Sequence, residues 1–327
     1  MFSTPAVAGD AVFVGSCNGF LRAFDNKTGT LRWTYDTRQD GDALEFHGEP
    51  ALTDELLIIG SDIRRDGHTG FAYAFERSTG KLRWKYPAGN GVMTDILRRG
   101  STVYFVTVGD VLTALDLNTG DVRWTFASGF PNTGFIFNSS PALAGDRIFF
   151  GGLNGTVYAL EADTGKAIWS RALGAMVTTP LALDGPDLYV GVRNSRLLRL
   201  DAGSGEVKAE LALPARPVWK PVVAGDCVVV FLGVETMDTI ACAEPSLARL
   251  RWSHKAEREF TSARPYLWHG LVLAGDYDTL RVLRLADGSL AWTANFTGMI
   301  RGIGATDEVL YVGTLKGIVY AYAPPSE

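Results

Sequence analysis

The sequence predicts an all-β protein, an eight-bladed β-propeller of four-stranded antiparallel blades whose last blade lacks its outer strand. Three observations lead to this prediction. One phrase of eleven residues recurs along the chain. Its copies follow one another at intervals of roughly 40 to 50 residues, the length of a propeller blade. Each interval contains short β-branched and aromatic runs between turn signals, and such a unit can bury its apolar face only against a neighbouring copy.

The first copy of the phrase runs from Ala23 to Trp33 and reads Ala-Phe-Asp-Asn-Lys-Thr-Gly-Thr-Leu-Arg-Trp. Further copies occupy residues 74–84, 114–124, 159–169, 199–209, 242–252 and 282–292. The copy at 199–209 ends on Ala209 instead of tryptophan, and the copy at 242–252 has Ala248 in place of glycine. An eighth copy begins at Ala321 and is cut off by the end of the chain.

The fourth repeat shows how one blade is built. Its apolar runs are residues 140–144, 147–152, 155–160 and 167–170, separated by Gly-Asp, Asn-Gly and Thr-Gly. Such punctuation is typical of tight hairpins, so the unit is predicted to be four antiparallel strands. No long stretch has apolar residues at the three-four spacing of a helix.

The tryptophans of the phrase are predicted to be structural. They lie on the outer strand, where each indole packs between neighbouring blades and contributes about 2–3 kcal/mol on burial. The Thr-Gly turn before them needs a positive φ, which glycine adopts readily. These residues are Trp33, Trp84, Trp124, Trp169, Trp252 and Trp292.

Composition supports one propeller domain over residues 1–327 and excludes several functions. The chain has 46% hydrophobic residues, enough for a continuous core, and a net charge of −5 without a basic block. Nucleic acid is therefore not an expected partner. No apolar run is long enough to cross a bilayer.

The three cysteines show no metal-binding spacing. Cys227 lies in an apolar run and is interpreted as a buried, inert thiol, although a disulfide with Cys242 in the same blade remains open. Met1 leads directly into a strand without a leader sequence. Either an upstream piece with the missing strand precedes this chain, or the eighth blade has three strands. The expected location is periplasmic or extracytoplasmic with an upstream leader, and cytoplasmic without one.

The repeated phrase, clearest at residues 23–33 and 114–124, resembles the repeat of the pyrroloquinoline-quinone-like propellers over nearly the whole chain. That family contains quinoprotein alcohol dehydrogenases, which hold a quinone and calcium in the central channel. It also contains non-catalytic propellers, including the lipoprotein of the bacterial β-barrel assembly machine. This chain is more similar to the second branch, because it is short and lacks the adjacent Cys-Cys pair of the larger dehydrogenases. The resemblance implies a protein partner in a membrane-associated complex and no cofactor.

Irregular connections are expected on one face of the propeller, and binding residues concentrate on such loops. The long connections are residues 35–48, 62–70, 125–139 and 233–238. Phe130, Phe135 and Phe137 share one of them. If exposed, they mark a partner site, and otherwise they plug the channel.

Residues at the start of the inner strands form a second pattern, which reads Thr4, Glu49, Asp95, Ser140, Thr179, Lys220, Arg264 and Arg301 around the ring. Two acids and three bases then fall in opposite sectors of the predicted channel mouth. Lys220, Arg264 and Arg301 could bind an anion such as a carboxylate. A solvated polar funnel is the alternative.

Nothing in the sequence indicates a catalytic centre. Glu49 and Asp95 could contribute to a calcium site, but two carboxylates are few for that ion. His47 is expected to be an exposed loop residue, and no histidine pair has metal-ligand spacing. The favoured function is a non-enzymatic scaffold that binds a protein or peptide through the irregular loops and the channel mouth. The alternatives are an enzyme that binds pyrroloquinoline quinone and calcium, and a propeller that senses a polysaccharide or small ligand.

Overall fold

The computed structural model describes residues 5–41, 44–63, 69–89, 91–130, 136, 138–233, 237–262 and 264–323. It confirms the predicted fold, an eight-bladed β-propeller of antiparallel sheets in which the last blade has three strands. The described residues contain no α-helix, and one 3₁₀ turn covers Thr37–Asp40.

The first four sheets have four strands each, in chain order. Their strands are β1 Ala6–Ala8, β2 Ala11–Gly15, β3 Phe20–Asp25, β4 Leu31–Asp36; β5 Glu45–Leu52, β6 Leu56–Asp62, β7 Phe71–Glu76, β8 Leu82–Pro87; β9 Leu97–Arg99, β10 Thr102–Thr107, β11 Val111–Asp116, β12 Val122–Ala127; and β13 Ala142–Ala144, β14 Arg147–Gly151, β15 Thr156–Glu161, β16 Ala167–Ala172.

The remaining four sheets follow the same order, except that the last ends after its third strand. Their strands are β17 Ala182–Asp184, β18 Asp187–Val192, β19 Arg196–Asp201, β20 Val207–Ala212; β21 Val222–Ala224, β22 Cys227–Gly233, β23 Met237–Ala243, β24 Leu250–Lys255; β25 Tyr266–Trp268, β26 Leu271–Asp276, β27 Thr279–Arg284, β28 Leu290–Asn295; and β29 Ile300–Ala305, β30 Leu310–Thr314, β31 Val319–Tyr322.

The chain divides into two units. The first comprises Met1–Ala127, Pro131–Phe137 and Arg301–Glu327, and the second comprises Ser128–Phe130 and Asn138–Ile300. In each unit the core lies between neighbouring sheets. Phe13 and Leu21 of the first sheet, for example, pack with Tyr73 and Phe75 of the second. Each repeat thus buries its apolar face only with its neighbour, as the repeat length requires.

The tryptophans at the fourth strand make the same contact in both units. The indole Nε1 of Trp33 donates a hydrogen bond to the carbonyl of Arg77 in the next sheet, over 2.8 Å. A Cβ added to Gly80, which has φ +71°, would lie 2.5 Å from the Trp33 ring. Glycine is needed in this turn for its positive φ and for the indole above it. The other described pairs are Trp84 with Gly120, Trp169 with Gly205 and Trp252 with Gly288.

The two irregular copies of the phrase lie in neighbouring sheets, the fifth and the sixth. Ala209 stands where the other copies have tryptophan, and in the next turn the positive φ falls on Leu247 (+60°) and not on Ala248, so that turn does not need a glycine at position 248. The carbonyl that an indole would bind is still satisfied, because the Tyr189 hydroxyl donates to the Pro245 carbonyl over 2.9 Å. The loss of the tryptophan is thus accompanied by a turn of different backbone conformation in the next sheet.

The cysteines correct one interpretation. Cys227 and Cys242 form a disulfide across β22 and β23, with Cα atoms 5.4 Å apart, so the interpretation of Cys227 as a free thiol is wrong. Both are fully buried. Neighbouring antiparallel strands bring the two residues within the Cα separation that a disulfide requires.

The aspartate of the repeated phrase makes the stability of the folded protein dependent on pH. Lys208, together with the turn amides of Gly203 and Ser204, holds the pKa of Asp201 at about 2, below its ordinary 3.8. A carboxyl with a lowered folded-state pKa stabilises the fold at pH above its unfolded value, and this contribution is lost as pH falls from about 4 to about 2.

In Asp201→Asn, acid unfolding followed by circular dichroism should be less steep in that interval. Asp184→Asn, at an exposed position, should leave the profile unchanged, and an equal effect of both changes would contradict the assignment.

Candidate functional site

We call the connections from the second to the third strand of a sheet, and from the fourth strand to the next sheet, the loop connections. Each unit is described separately. The structure makes these connections shorter than the sequence suggested, because β4 runs to Asp36, β5 begins at Glu45 and β22 runs to Gly233. Residues 64–68 and 234–236, within two of the predicted loops, lie outside the described residues.

In the first unit, a buried carboxylate anchors the connection between the first two sheets. Asp40, at the end of the 3₁₀ turn, accepts hydrogen bonds from the hydroxyls of Tyr35 (2.8 Å) and Tyr73 (2.9 Å). Lys85 Nζ lies 2.5 Å from its other oxygen. Burial and the neighbouring Asp40 charge raise the pKa of both tyrosines, so they remain neutral donors. The turn is therefore held by residues of three strands, and its shape is rigid.

His47 corrects a second expectation. The sequence suggested an exposed loop histidine, but His47 lies within β5 and is 5% exposed. Its Nδ1 contacts the carboxylate of Asp62, which is fully buried, and its Nε2 lies 3.6 Å from Glu45 Oε2. The pairing of Glu45 with Asp62 across β5 and β6 brings the three side chains together. The arrangement joins the start of β5 to the end of β6.

In the second unit, Asp276 lies at the end of β26, as Asp62 lies at the end of β6, and is 1% exposed. Its carboxylate accepts hydrogen bonds from the main-chain amides of Glu257, Arg258 and Glu259, at 3.0–3.2 Å. Arg281 Nε donates to it over 2.6 Å, and Arg281 also pairs with Glu257 at 2.8 Å. A buried carboxylate with this many donors is well compensated. The connection into the seventh sheet is thereby fixed.

Arginine–aromatic pairs lie at or beside these anchored connections; the pair of Arg258 with Tyr277 is exposed, whereas Phe20 and Arg22 are half-buried residues of β3. In the first unit, the guanidinium groups of Arg22 and Arg38 lie 4.3 and 4.6 Å from the Phe20 ring centre. In the second unit, Arg258 lies 4.6 Å from the centre of Tyr277, a 38% exposed ring at φ +59°. Arginine and aromatic residues are enriched in protein interfaces, and rigid loops lose little entropy on binding.

Three of the five residues predicted at the channel mouth belong to the first unit. The structure brings Glu49 and Asp95 together, since the Asp95 carboxylate accepts the main-chain amide of Glu49 over 2.8 Å. Asp95 thus helps to join the second and third sheets. Arg301 is half-buried at the start of β29. Burial raises the pKa of the Cys17 thiol, and the charge of Arg301 opposes this rise.

The other two belong to the second unit and precede inner strands, as predicted. Lys220 is half-buried just before β21. Arg264 is half-buried before β25, and its carbonyl accepts a hydrogen bond from the Ser262 hydroxyl. The anion site formed with Arg301 remains a prediction.

Phe130 is half-buried, and its amide donates to the Ser128 hydroxyl over 3.1 Å. Phe135 and Phe137 lie outside the described residues. Within the described part of the chain, no three His, Cys, Asp or Glu side chains are placed to hold a metal ion.

Sequence reasoning missed the buried acids Asp40, Asp62 and Asp276. The sequence did contain a signal for two of these acids. Asp62 and Asp276 each end the apolar second strand of their repeat, directly after two residues of which one is glycine. A carboxylate directly after a fully buried strand needs a partner, and the partner comes from another strand.

Comparison with known proteins agrees with this architecture. The family model described as outer membrane protein assembly factor BamB matches residues 1–70, 66–181 and 153–239. The protein of that name from Yersinia pestis is 23% identical over 340 residues, which cover 97% of this chain and 83% of the relative. The one from Legionella pneumophila is 28% identical over 204 residues, 61% of this chain and 50% of the relative. A quinohemoprotein alcohol dehydrogenase of Pseudomonas putida matches only 25% of this chain, at 36% identity.

Solved structures give the same fold. BamB from Moraxella catarrhalis superposes with a TM-score of 0.82 at 20% identity, covering 98% of this chain and 96% of that one. A europium-containing methanol dehydrogenase has a TM-score of 0.71 at 14% identity, with coverage of 94% and 81%. At such identities the likeness concerns the fold alone.

A bilayer-spanning helix is not found in the described part of the chain.

Proposed function

Since the chain belongs to the family of the outer membrane protein assembly factor BamB, whose members are pyrroloquinoline-quinone-like propellers, we propose that it is a non-catalytic scaffold. It binds another protein through the loop connections and takes part in the assembly of outer membrane proteins. The observation that carries this proposal is the exposed pair of Arg258 and Tyr277 on connections that the buried Asp276 holds in place.

The argument rests on how interfaces gain affinity. Tyrosine, tryptophan and arginine dominate binding energy when they are presented on a surface that does not have to be ordered on binding. Arg258 and Tyr277 meet this condition, because Asp276 fixes the amide of Arg258 while Tyr277 follows Asp276 directly. In the first unit, Arg38 lies within the 3₁₀ turn that ends at Asp40.

The disulfide supports a location outside the cytoplasm. Disulfides persist in oxidising compartments such as the periplasm and are rare in the cytosol. The bond between Cys227 and Cys242, together with the family's role in the outer membrane, therefore favours a periplasmic protein.

The test uses a bacterium that lacks its own member of this family and exports this chain with a host leader. The chain should restore the level of folded outer membrane proteins, measured by heat-dependent mobility on gels. Arg258→Gln combined with Tyr277→Asn, where asparagine tolerates the positive φ, should lose most of this rescue at equal protein level. Lys166→Glu, on an exposed turn between third and fourth strands, is the matched control and should rescue fully.

Failure of the unaltered chain to rescue would contradict the outer membrane role, and full rescue by the double variant would contradict the binding surface. A separate measurement addresses the enzymatic alternative. Purified protein mixed with pyrroloquinoline quinone and calcium should show no stoichiometric cofactor spectrum and no dye-linked alcohol oxidation, and either signal would overturn the non-catalytic assignment.

A further inference from the structure

The same main-chain hydrogen bond recurs on three neighbouring loop connections of the second unit. It joins the connection that leads into a sheet to the end of that sheet's second strand. The bonds run from the Arg193 amide to the Met176 carbonyl (3.0 Å) in the fifth sheet, from the Gly233 amide to the Arg216 carbonyl (3.0 Å) in the sixth, and from the Tyr277 amide to the Glu259 carbonyl (3.2 Å) in the seventh. These residues occupy equivalent positions, and we call them the loop row.

The backbone of the loop row is held closely in place at Arg193 and Arg216. Pro217, directly after Arg216, packs beside Gly191, two residues before Arg193, since a Cβ added to Gly191 would lie 2.7 Å from the Pro217 ring. Pro217 also pairs with Leu232 near the end of β22. The two arginines therefore stand on neighbouring sheets that touch at this level, and little order has to be gained when a partner binds.

The charges of these two arginines are not used within the described structure. Other arginines of the second unit are engaged, as Arg251 is with Asp226. Arg193 is exposed and its guanidinium contacts the Met176 sulfur at 3.7 Å, and Arg216 is half-buried without a hydrogen bond or ion pair of its guanidinium among the described residues. A guanidinium has five N–H donors, so both side chains can receive an acceptor from another molecule.

The seventh sheet shows which group an arginine of this surface binds. Arg258 pairs there with the carboxylate of Asp278, which lies between the second and third strands of the same sheet. Glu259 follows Arg258 and brings a negative charge to the row, so a further carboxylate is not favoured at this position. The loop row is thus cationic over the fifth and sixth sheets and ends at the exposed ring of Tyr277 over the seventh.

We propose that Arg193 and Arg216 bind an acidic segment of the partner protein, with one carboxylate on each guanidinium. This inference rests on the proposed function, because it names the chemistry of the partner at the same loop connections. Guanidinium groups bind carboxylates through paired hydrogen bonds, and complementary charge selects the partner and speeds its approach. Since the chain has a net charge of −5, most of its surface does not attract an acidic segment, and these unpaired cations direct the segment to the loop row.

An acidic protein segment fits this surface better than an anionic membrane. Lipid surfaces attract clusters of about four to eight protruding Lys or Arg side chains. The loop row offers two such cations over the fifth and sixth sheets, and Arg216 is half-buried. A single carboxylate on an extended side chain can reach Arg216, whereas a flat lipid surface meets mainly the exposed Arg193.

The first experiment measures the fluorescence anisotropy of a labelled peptide of alternating glutamate and serine, added to the full chain at low salt. Arg193→Glu combined with Arg216→Glu should weaken binding at least about tenfold, because each change replaces attraction by repulsion. A peptide with glutamine in place of glutamate should bind equally weakly, and added salt should weaken binding of the glutamate peptide. The matched control is Lys27→Glu combined with Lys166→Glu, which changes the net charge equally on two exposed turns and should bind nearly as well as the unaltered protein.

The rescue assay of the proposed function provides the second experiment and separates the two proposals. If the unaltered chain restores outer membrane proteins, the double arginine variant should lose most of the rescue at equal protein level, and the double lysine variant should keep it. If the unaltered chain fails, the proposed function fails, and the peptide measurement still decides the chemistry of the loop row.

Three results would overturn the inference. The first is equal peptide binding by the two double variants, and the second is equal binding of the glutamate and glutamine peptides. The third is full rescue by the double arginine variant. Flotation with phosphatidylglycerol vesicles tests the membrane alternative, and vesicle binding that requires both arginines, without binding of the glutamate peptide, would show that the row contacts lipid and would also overturn the inference.

Discussion

Replacing Asp276 with alanine is expected to lower the free energy of unfolding by about 3–5 kcal/mol, because it leaves Arg281 buried without its main partner. Three main-chain amides, of Glu257, Arg258 and Glu259, would also lose their acceptor. Glu257 cannot replace Asp276, since its side chain is 81% exposed and water screens the pair. Urea unfolding followed by tryptophan fluorescence measures the loss.

The matched control is Asp226→Ala, which removes a carboxylate from an exposed pair with Arg251. Exposed ion pairs contribute about 0–1 kcal/mol, so this change should be nearly neutral. If both variants lost the same stability, the Asp276 network would not anchor the connection, and the rigid-loop argument for partner binding would lose its basis.

Replacing Gly80 with alanine is expected to cost about 2–4 kcal/mol, whereas the same change at Gly29 should cost only about 1–2 kcal/mol. Both glycines have nearly the same backbone conformation, with φ +71° and +69°. They differ in that the Trp33 ring covers Gly80, while the space above Gly29 is open within the described structure. The difference between the two variants therefore isolates the indole contact from the backbone strain.

Thermal and urea unfolding of both variants give this difference directly. In Gly80→Ala combined with Trp33→Ala the two changes should not be additive, because the second removes the ring that the new methyl group meets. Equal costs at Gly29 and Gly80 would mean that the indole moves aside freely and does not constrain the turn.

The sequence predicted the sheets well because their signals are local. The Thr-Gly turn, the alternating apolar runs and the closing tryptophan all lie within one copy of the phrase, so each copy predicts its own strands without reference to the rest of the chain. The departures at Ala209 and Ala248 were also visible in the sequence, but the hydrogen bond from Tyr189 to Pro245 and the positive φ of Leu247 appear only in the structure.

The predictions that failed concern residues whose surroundings come from other strands. His47 was expected in solvent, yet its environment is set by Asp62, fifteen residues away across β5 and β6. Cys227 was interpreted as an inert thiol, with a disulfide to Cys242 left open, because the sequence does not show how closely β22 and β23 bring the two cysteines together. Asp276 was not singled out from the sequence, because its partner Arg281 lies on the neighbouring strand β27.

By itself the sequence determined the repeat, the number of sheets and the kinship with a family of propellers, since these follow from periodic local signals. Tertiary structure alone decided which charges are buried, which cysteines are joined and which glycine has no indole above it. Those features depend on pairs distant along the chain, and side-chain burial is a property of the packed sheets rather than of any single repeat.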